Sequence, residues 1–437
     1  MRIAFDYTTG IYPGAGVARY SRSLVSALAG LDAENSYSLF YAAKGLPRPT
    51  PETEQADKLF SAHANLRPVP VPLSVRQMFA LWQRLRVPLP VDRFTGPCDV
   101  MHSPDFVSPP HRTGADVITV HDLSFLVVPE CADPKLAAFL GRTVPRAVRR
   151  ADHIIAVSEQ TRRALIVLLS VPPNKVTVAY NGVDARFRPL EGARSQGSGV
   201  RDEERGARAR VREKAEALRR KLKLPERFIL HVGTLEPRKN LKRLVEAYGL
   251  MVSKGLHNKS FAPHPSPPEP RTSNAGLDPR PLTPDPRPLA PSLVLAGRKG
   301  WLFAPILEAA DRVNRAGGHV VLVDYVYDEE LPLLYNMATV FAYTSIYEGF
   351  GLPAAEALAC GVPTLVSNDG ALSEVVGDAA LRVDALDVQA IAGGLEGLLL
   401  DDALRARLSA AGPPQVAHFT WENAARTVLD VYKKVAK

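Results

Sequence analysis

Short apolar runs alternate along this chain with segments whose apolar residues recur every three to four positions. The runs at 3–6, 37–41, 99–102, 117–120, 153–157 and 176–180 are rich in β-branched and aromatic residues and predict strands. Residues 17–31, 134–150 and 159–169 predict helices; in the first, Val17, Tyr20, Leu24, Leu28 and Leu31 share one face. The alternation restarts with strands at 228–232, 293–296, 319–322, 340–345 and 364–366. Helices are predicted from Leu241, over 354–360 and over 422–435. Strands alternating with helices imply parallel, doubly wound sheets, so the expected fold is α/β with two halves of similar size. Each half opens on a strand and a glycine turn, Gly10 to Gly16 in the first and Gly233-Thr234 in the second.

Two stretches interrupt the pattern. Residues 192–223 hold 11 basic side chains against 5 acidic ones and read as a solvated linker running into a helix. Residues 256–292 hold 11 prolines and a repeated Asp-Pro-Arg-Pro-Leu, a composition expected of a surface loop without a core. The expected organisation is a first domain over 1–187, a basic linker over 188–223, a second domain over 224–417, and a terminal helix over 418–437. A third stretch, 73–90, interleaves Val75, Met78, Phe79, Leu81, Trp82 and Leu85 with Arg76, Arg84 and Arg86. Such a basic amphipathic segment suits an anionic membrane surface, or else covers the domain with its arginines in water.

The 46% hydrophobic and 23% charged content fits a globular protein, and no apolar run approaches the ~20 residues that span a bilayer. The first residues lead straight into a strand, so no signal peptide is expected. Cys98, Cys131 and Cys360 cannot all pair and form no metal-type cluster, which favours a reduced, cytoplasmic setting and a site without metal. The net charge of +8 favours an anionic partner.

Open α/β sheets bind ligands beyond the carboxyl ends of their strands, and four candidates lie at such ends. The first is Tyr347-Glu348-Gly349-Phe350-Gly351-Leu352-Pro353-Ala354-Ala355-Glu356, a strand exit, a glycine loop and a helix start flanked by two carboxylates. Free N–H groups and the helix dipole suit an anion, and the carboxylates suit sugar hydroxyls. The second, Glu236-Pro237-Arg238-Lys239-Asn240, places two cations where a diphosphate could sit. The third is His121, with Asp122, at the end of the 117–120 strand; the fourth is Gly14-Ala15-Gly16 with Arg19. No Walker-type loop, no Gly-x-Gly-x-x-Gly after the first strand and no Gly-x-Ser-x-Gly elbow is present, which disfavours a triphosphatase, a dehydrogenase and a serine hydrolase.

Together these residues resemble the retaining glycosyltransferases of family 4. Glu348 and Glu356 match that family's Glu-x7-Glu motif, and Gly233-Thr234-Leu235-Glu236-Pro237-Arg238-Lys239-Asn240-Leu241 resembles its donor-phosphate segment. Thr119-Val120-His121-Asp122 resembles its acceptor-side strand end. The resemblance implies a GT-B fold, two Rossmann-like domains facing across a cleft, with the terminal helix crossing back to the first. It implies a hexosyltransferase whose substrates are a nucleotide-sugar and a glycan or lipid-linked sugar, with no cofactor and no nucleic acid. Arg238 and Lys239 would bind the donor diphosphate, with Thr234 beside them, and Glu356 the ribose. Glu348, across Gly349 and with the amides of Phe350, Gly351 and Leu352, would hold the transferred sugar. His121 would touch that sugar near its anomeric carbon, and Gly16 would approach the phosphate. Local similarity to mannosyltransferase-like members makes GDP-mannose the first expected donor, ahead of a UDP-sugar. The implied place of work is the cytoplasm, peripheral to the inner face of the plasma membrane. Two alternatives stay open: a non-catalytic sugar-nucleotide or nucleic-acid binding module, whose site residues would be dispensable, and an epimerase- or phosphorylase-like enzyme on the same fold. An epimerase would need acid/base pairs on both sides of a sugar ring.

Overall fold

A computed structural model describes residues 1–14, 16–85, 87–190, 202–254 and 291–436. Ala15, Arg86, the start of the basic linker and nearly all of the proline-rich insertion lie outside the described residues.

The first sheet has seven strands: β1 Arg2–Asp6, β2 Ser36–Ala42, β3 Leu66–Val71, β4 Val100–Ser103, β5 Ala115–Val120, β6 His153–Ala156 and β7 Val176–Val178. All pairings are parallel, in the order β3-β2-β1-β4-β5-β6-β7. The second has six: β8 Phe228–Val232, β9 Ser292–Ala296, β10 Val320–Val323, β11 Val340–Tyr343, β12 Thr364–Ser367 and β13 Leu381–Val383. These too are all parallel, in the order β10-β9-β8-β11-β12-β13. The central strands are buried on both faces, which is why they read as continuous apolar runs rather than alternating ones. In both sheets the strand order reverses beside the first strand of the unit, so the switch points open beyond the carboxyl ends of β1 and β4, and of β8 and β11.

The halves are joined through their cores. Tyr180, Phe350 and Phe419 pack ring to ring, and Tyr20 packs edge-on against both His121 and Trp421. The terminal helix Trp421–Val435 lies against the helix Gly16–Leu31. Its Tyr432 hydroxyl meets His102 Nδ1 at 2.5 Å, and Lys434 Nζ donates to the Asn174 carbonyl at 3.2 Å. Gly182 lies where the chain leaves the first sheet, and any side chain there would collide with the backbone of Trp421.

The structure refines two readings and adds a strand. The basic linker is helical from Asp202 to Leu222, and its end docks through Ala215 and Leu218 into the core, with Leu222 partly buried beside them. Those three residues recur at i, i+3 and i+7, a stripe that the surrounding charge obscures. The segment 73–90 is a short helix, Val75–Phe79, running into one π-type turn, Ala80–Arg84. Met78 and Trp82 are buried, while Val75, Phe79 and Leu85 face outward. Strand β3 was not foreseen because it carries Pro68 and Pro70; it is an edge strand, where proline costs no ladder bond.

Candidate active site

The loop after β11 closes on the turn after β8. The Ile346 N–H donates to the Arg238 carbonyl at 2.9 Å, and this contact brings two charged segments together. Glu348, 6% exposed, accepts from Lys239 Nζ at 2.6 Å and from Arg238 Nη1 at 3.0 Å. Lys239 Nζ also donates to the Tyr343 hydroxyl at 2.6 Å, and Arg238 Nη2 donates to Glu236 at 2.9 Å. Asp122, from the first half, lies 3.9 Å from Arg238 Nη1. Burial by itself would raise the Glu348 carboxyl; the Arg238 and Lys239 charges outweigh it and hold the group down to about 2.

Beyond Glu348 the chain turns through Gly349 to Gly351 into the helix Leu352–Ala359. Gly351 has φ +89, a left-handed conformation that favours glycine. Gly349 presses against the first half, and a methyl group there would strike the His121 carbonyl. The N–H groups of Phe350, Gly351 and Leu352 donate to no acceptor among the described residues, so three donors at a helix start are left unspent. Glu356, one turn on, is 2% exposed. It accepts from the Tyr335 hydroxyl at 2.9 Å and from Arg19 Nη1, which reaches across from the first half. Arg19 Nη2 meets Asp328 at 2.8 Å, and Arg22 meets the same carboxylate at 3.3 Å. Burial raises the Glu356 carboxyl, with the Arg19 charge opposing.

His121 follows β5, and its Nε2 lies 2.7 Å from the Pro104 carbonyl. That oxygen can only accept, so Nε2 carries a proton. The His121 ring is half-buried between Tyr20 and Phe106. A cavity of about 150 Å³ between the halves is lined by Gly16, Arg19, Thr234, Arg298, Asp328 and Glu356, among others. Gly16 is the first residue of its helix, and a Cβ there would meet nothing within 4 Å, so packing in this structure does not demand a glycine.

Thus Arg238, Lys239 and Glu348 form one cluster, Gly16, Thr234 and Glu356 another, and His121 lies against the loop that joins them. Sequence reasoning missed Asp328, Tyr335, Arg298 and Tyr325, whose ring lies 4.1 Å beneath the Arg298 guanidinium. Arg298 and Asp328 follow β9 and β10, and that position was the available signal. Among the described residues, no group of three or more His, Cys, Asp or Glu could hold a metal ion, and no helix is long and apolar enough to cross a membrane.

Comparison with known proteins gives this geometry a context. Residues 14–187 match the family description "Glycosyltransferase Family 4", and residues 290–414 match "Glycosyl transferases group 1". The chain is 29% identical to the O-antigen chain mannosyltransferase B of Escherichia coli over 99% of this chain and 100% of that one. Among solved structures it resembles WaaG, a glycosyltransferase involved in lipopolysaccharide biosynthesis, with a TM-score of 0.65, 13% identity and 99% of each chain covered. It also resembles Anabaena Alr3699/HepE, solved with UDP and glucose, with a TM-score of 0.64, 17% identity, and 99% and 100% of the two chains covered. The two matched segments take in most of both sheets, the facing doubly wound domains are those of the GT-B fold, and the chain belongs to the GT-B glycosyltransferases.

Proposed function

We propose that the protein moves a hexose, first of all mannose from GDP-mannose, onto a glycan or lipid-linked sugar with retention of anomeric configuration. The observation that carries this reading is the convergence of Arg238 and Lys239 on Glu348, against the loop that Gly349 presses onto His121. The donor lies between the halves. Glu356 takes the ribose, with Thr234 and Gly16 near the phosphates, and the N–H groups of Phe350, Gly351 and Leu352 join Glu348 on the sugar. His121 meets the sugar from the opposite wall. Lys239 and Arg238 stabilise charge as it develops on the leaving diphosphate, and the closed cleft aligns the acceptor hydroxyl with the anomeric carbon. Two fixed cations in a buried site supply the charge that a metal would otherwise bring, so the transfer runs at full rate in a chelator. Mannose is favoured over other hexoses by the O-antigen mannosyltransferase relative, and a diphosphate nucleotide by the UDP bound to HepE.

A screen of nucleotide-sugars, following nucleoside diphosphate release with mannosyl and lipid-linked acceptors, tests the reading. Turnover that collapses in Glu348→Ala and Lys239→Ala supports it. Full activity in both variants, or no donor turned over, overturns it. The protein also works at an anionic membrane surface, where Val75, Phe79 and Leu85 are exposed beside Arg76 and Arg84. Failure to sediment with anionic vesicles would refute that part alone.

A further inference from the structure

Two buried rings stand behind Lys239. We propose that Tyr343, backed by His231, is a positioning residue for Lys239 and fixes its ammonium against the leaving diphosphate. This rests on the glycosyltransferase reading, in which Lys239 meets that group, and extends it to two residues on the neighbouring strands β8 and β11.

Both are polar side chains in places that an apolar one could fill. Tyr343, at the end of β11, is 1% exposed, and His231, on β8, is wholly buried. Burying a phenol or an imidazole costs stability unless its polar atoms are used. The Tyr343 hydroxyl is used: Lys239 Nζ lies 2.6 Å away. An ammonium only donates, so the phenol oxygen accepts. Glu348 takes a second N–H of Lys239 at 2.6 Å, and the third is left over among the described residues, free for a phosphate oxygen. Two anchors thus hold the end of an otherwise flexible stem.

His231 steadies the phenol. Its ring stacks on that of Tyr343, with centroids 5.4 Å apart and planes 13° apart, and Phe341 stacks on Tyr343 as well at 5.9 Å. His231 Nδ1 lies 3.0 Å from the Ala342 carbonyl, so Nδ1 carries the proton and Nε2 is a bare acceptor. Nε2 has no partner. A Cβ placed on Gly233 would come 3.1 Å from Nε2 and 3.7 Å from Lys239 Cε, so the ring nitrogen and the lysine stem border one small space. Burial keeps the ring neutral, with a pKa of about 3. A neutral acceptor there favours a nearby cation, where a protonated ring would repel it.

The same contacts govern the charge of Lys239. Burial lowers its pKa, with Glu348 opposing; the other charged groups facing it are Arg238, which also lowers it, and Glu236, which raises it. Tyr343 itself stays protonated, raised well above its ordinary value by burial and by Glu348. Removing the phenol oxygen takes an acceptor from the ammonium, so Lys239 should lose its proton at a lower pH.

The test is calorimetric binding of GDP and of UDP, without sugar or acceptor, from neutral pH to about pH 10. Affinity should fall at the alkaline end as Lys239 loses its charge, and the part of the fall missing in Lys239→Ala is the part due to Lys239. In Tyr343→Phe, which keeps the stacked ring, that part should begin about one pH unit lower. His231→Asn keeps an N–H for the Ala342 carbonyl and removes the ring, so its fall should lie between the two. A tyrosine that only filled the core would change stability or affinity without moving the alkaline limb. An unmoved limb in Tyr343→Phe, or a limb that Lys239→Ala leaves whole, would therefore overturn the proposal. An unmoved limb in His231→Asn would overturn the part given to His231. Because no sugar is transferred, the result stands apart from the donor screen. Diphosphate binding with an unmoved limb would strike the positioning role alone; no binding of GDP or UDP by the wild type would overturn the donor site and the positioning role together.

Discussion

Replacing Glu348 by Gln keeps the size of the side chain and removes one charge from a buried cluster. In the wild type that carboxylate accepts from Lys239 Nζ at 2.6 Å and from Arg238 Nη1 at 3.0 Å. The fall of its pKa from 4.5 to about 2 corresponds to about 3 kcal/mol of folding stability. The sign follows from the direction of the shift. A depressed carboxyl stabilises fully above its unfolded pKa, and the contribution drains away as the pH falls from 4.5 toward about 2. At neutral pH the variant should therefore melt about 6–12 °C below the wild type, taking the effect of 1 kcal/mol on a domain of this size as about 2–4 °C. Melting curves recorded from neutral pH down to about pH 2 should show the gap closing through that window. A gap that stays constant with pH, or a variant that melts higher at neutral pH, would refute the claim that the two cations outweigh the cost of burying the carboxylate.

Arg19→Ala leaves Glu356 buried without its cation, and breaking such a pair should cost about 3–5 kcal/mol, read as a lowered melting temperature. The Glu356 carboxyl, already raised by burial, rises further in this variant. Calorimetric donor affinity should then fall as the pH drops through mild acidity, while the wild type holds. Gly349→Ala forces the loop off the His121 carbonyl, and misplacement of about 1 Å should lower kcat about a hundredfold. Nucleotide affinity should stay nearly unchanged, because the proposed grip on the nucleotide comes mostly from the second domain. Tyr432→Phe removes the 2.5 Å bond to His102 Nδ1, a ring that burial holds neutral with a pKa of about 3. Chemical denaturation should register a loss of about 1–2 kcal/mol.

The strand, glycine loop and helix around Glu348 were legible because each part is local: an apolar run, two glycines, and a proline at a helix start. The same holds for the turn carrying Arg238 and Lys239, whose position after β8 marks it in the sequence. What joins the clusters is not local. Arg19 and Glu356 lie 337 positions apart, and nothing in either neighbourhood announces the other. Sequence displays two cations at 238 and 239, yet only the fold reveals three carboxylates, from Glu236, Glu348 and Asp122, gathered around Arg238. Strand β3 was hidden by prolines that an edge position tolerates, and the docking stripe of the helix Asp202–Leu222 by the charges around it.

The most direct test of the central claim is the anomeric configuration of the product, followed by NMR as GDP-mannose is consumed in the presence of a mannosyl acceptor. The account predicts release of GDP, a product that keeps the donor's α configuration, and a rate that collapses in Lys239→Ala. A β-linked product, or undiminished turnover by Lys239→Ala, would contradict it.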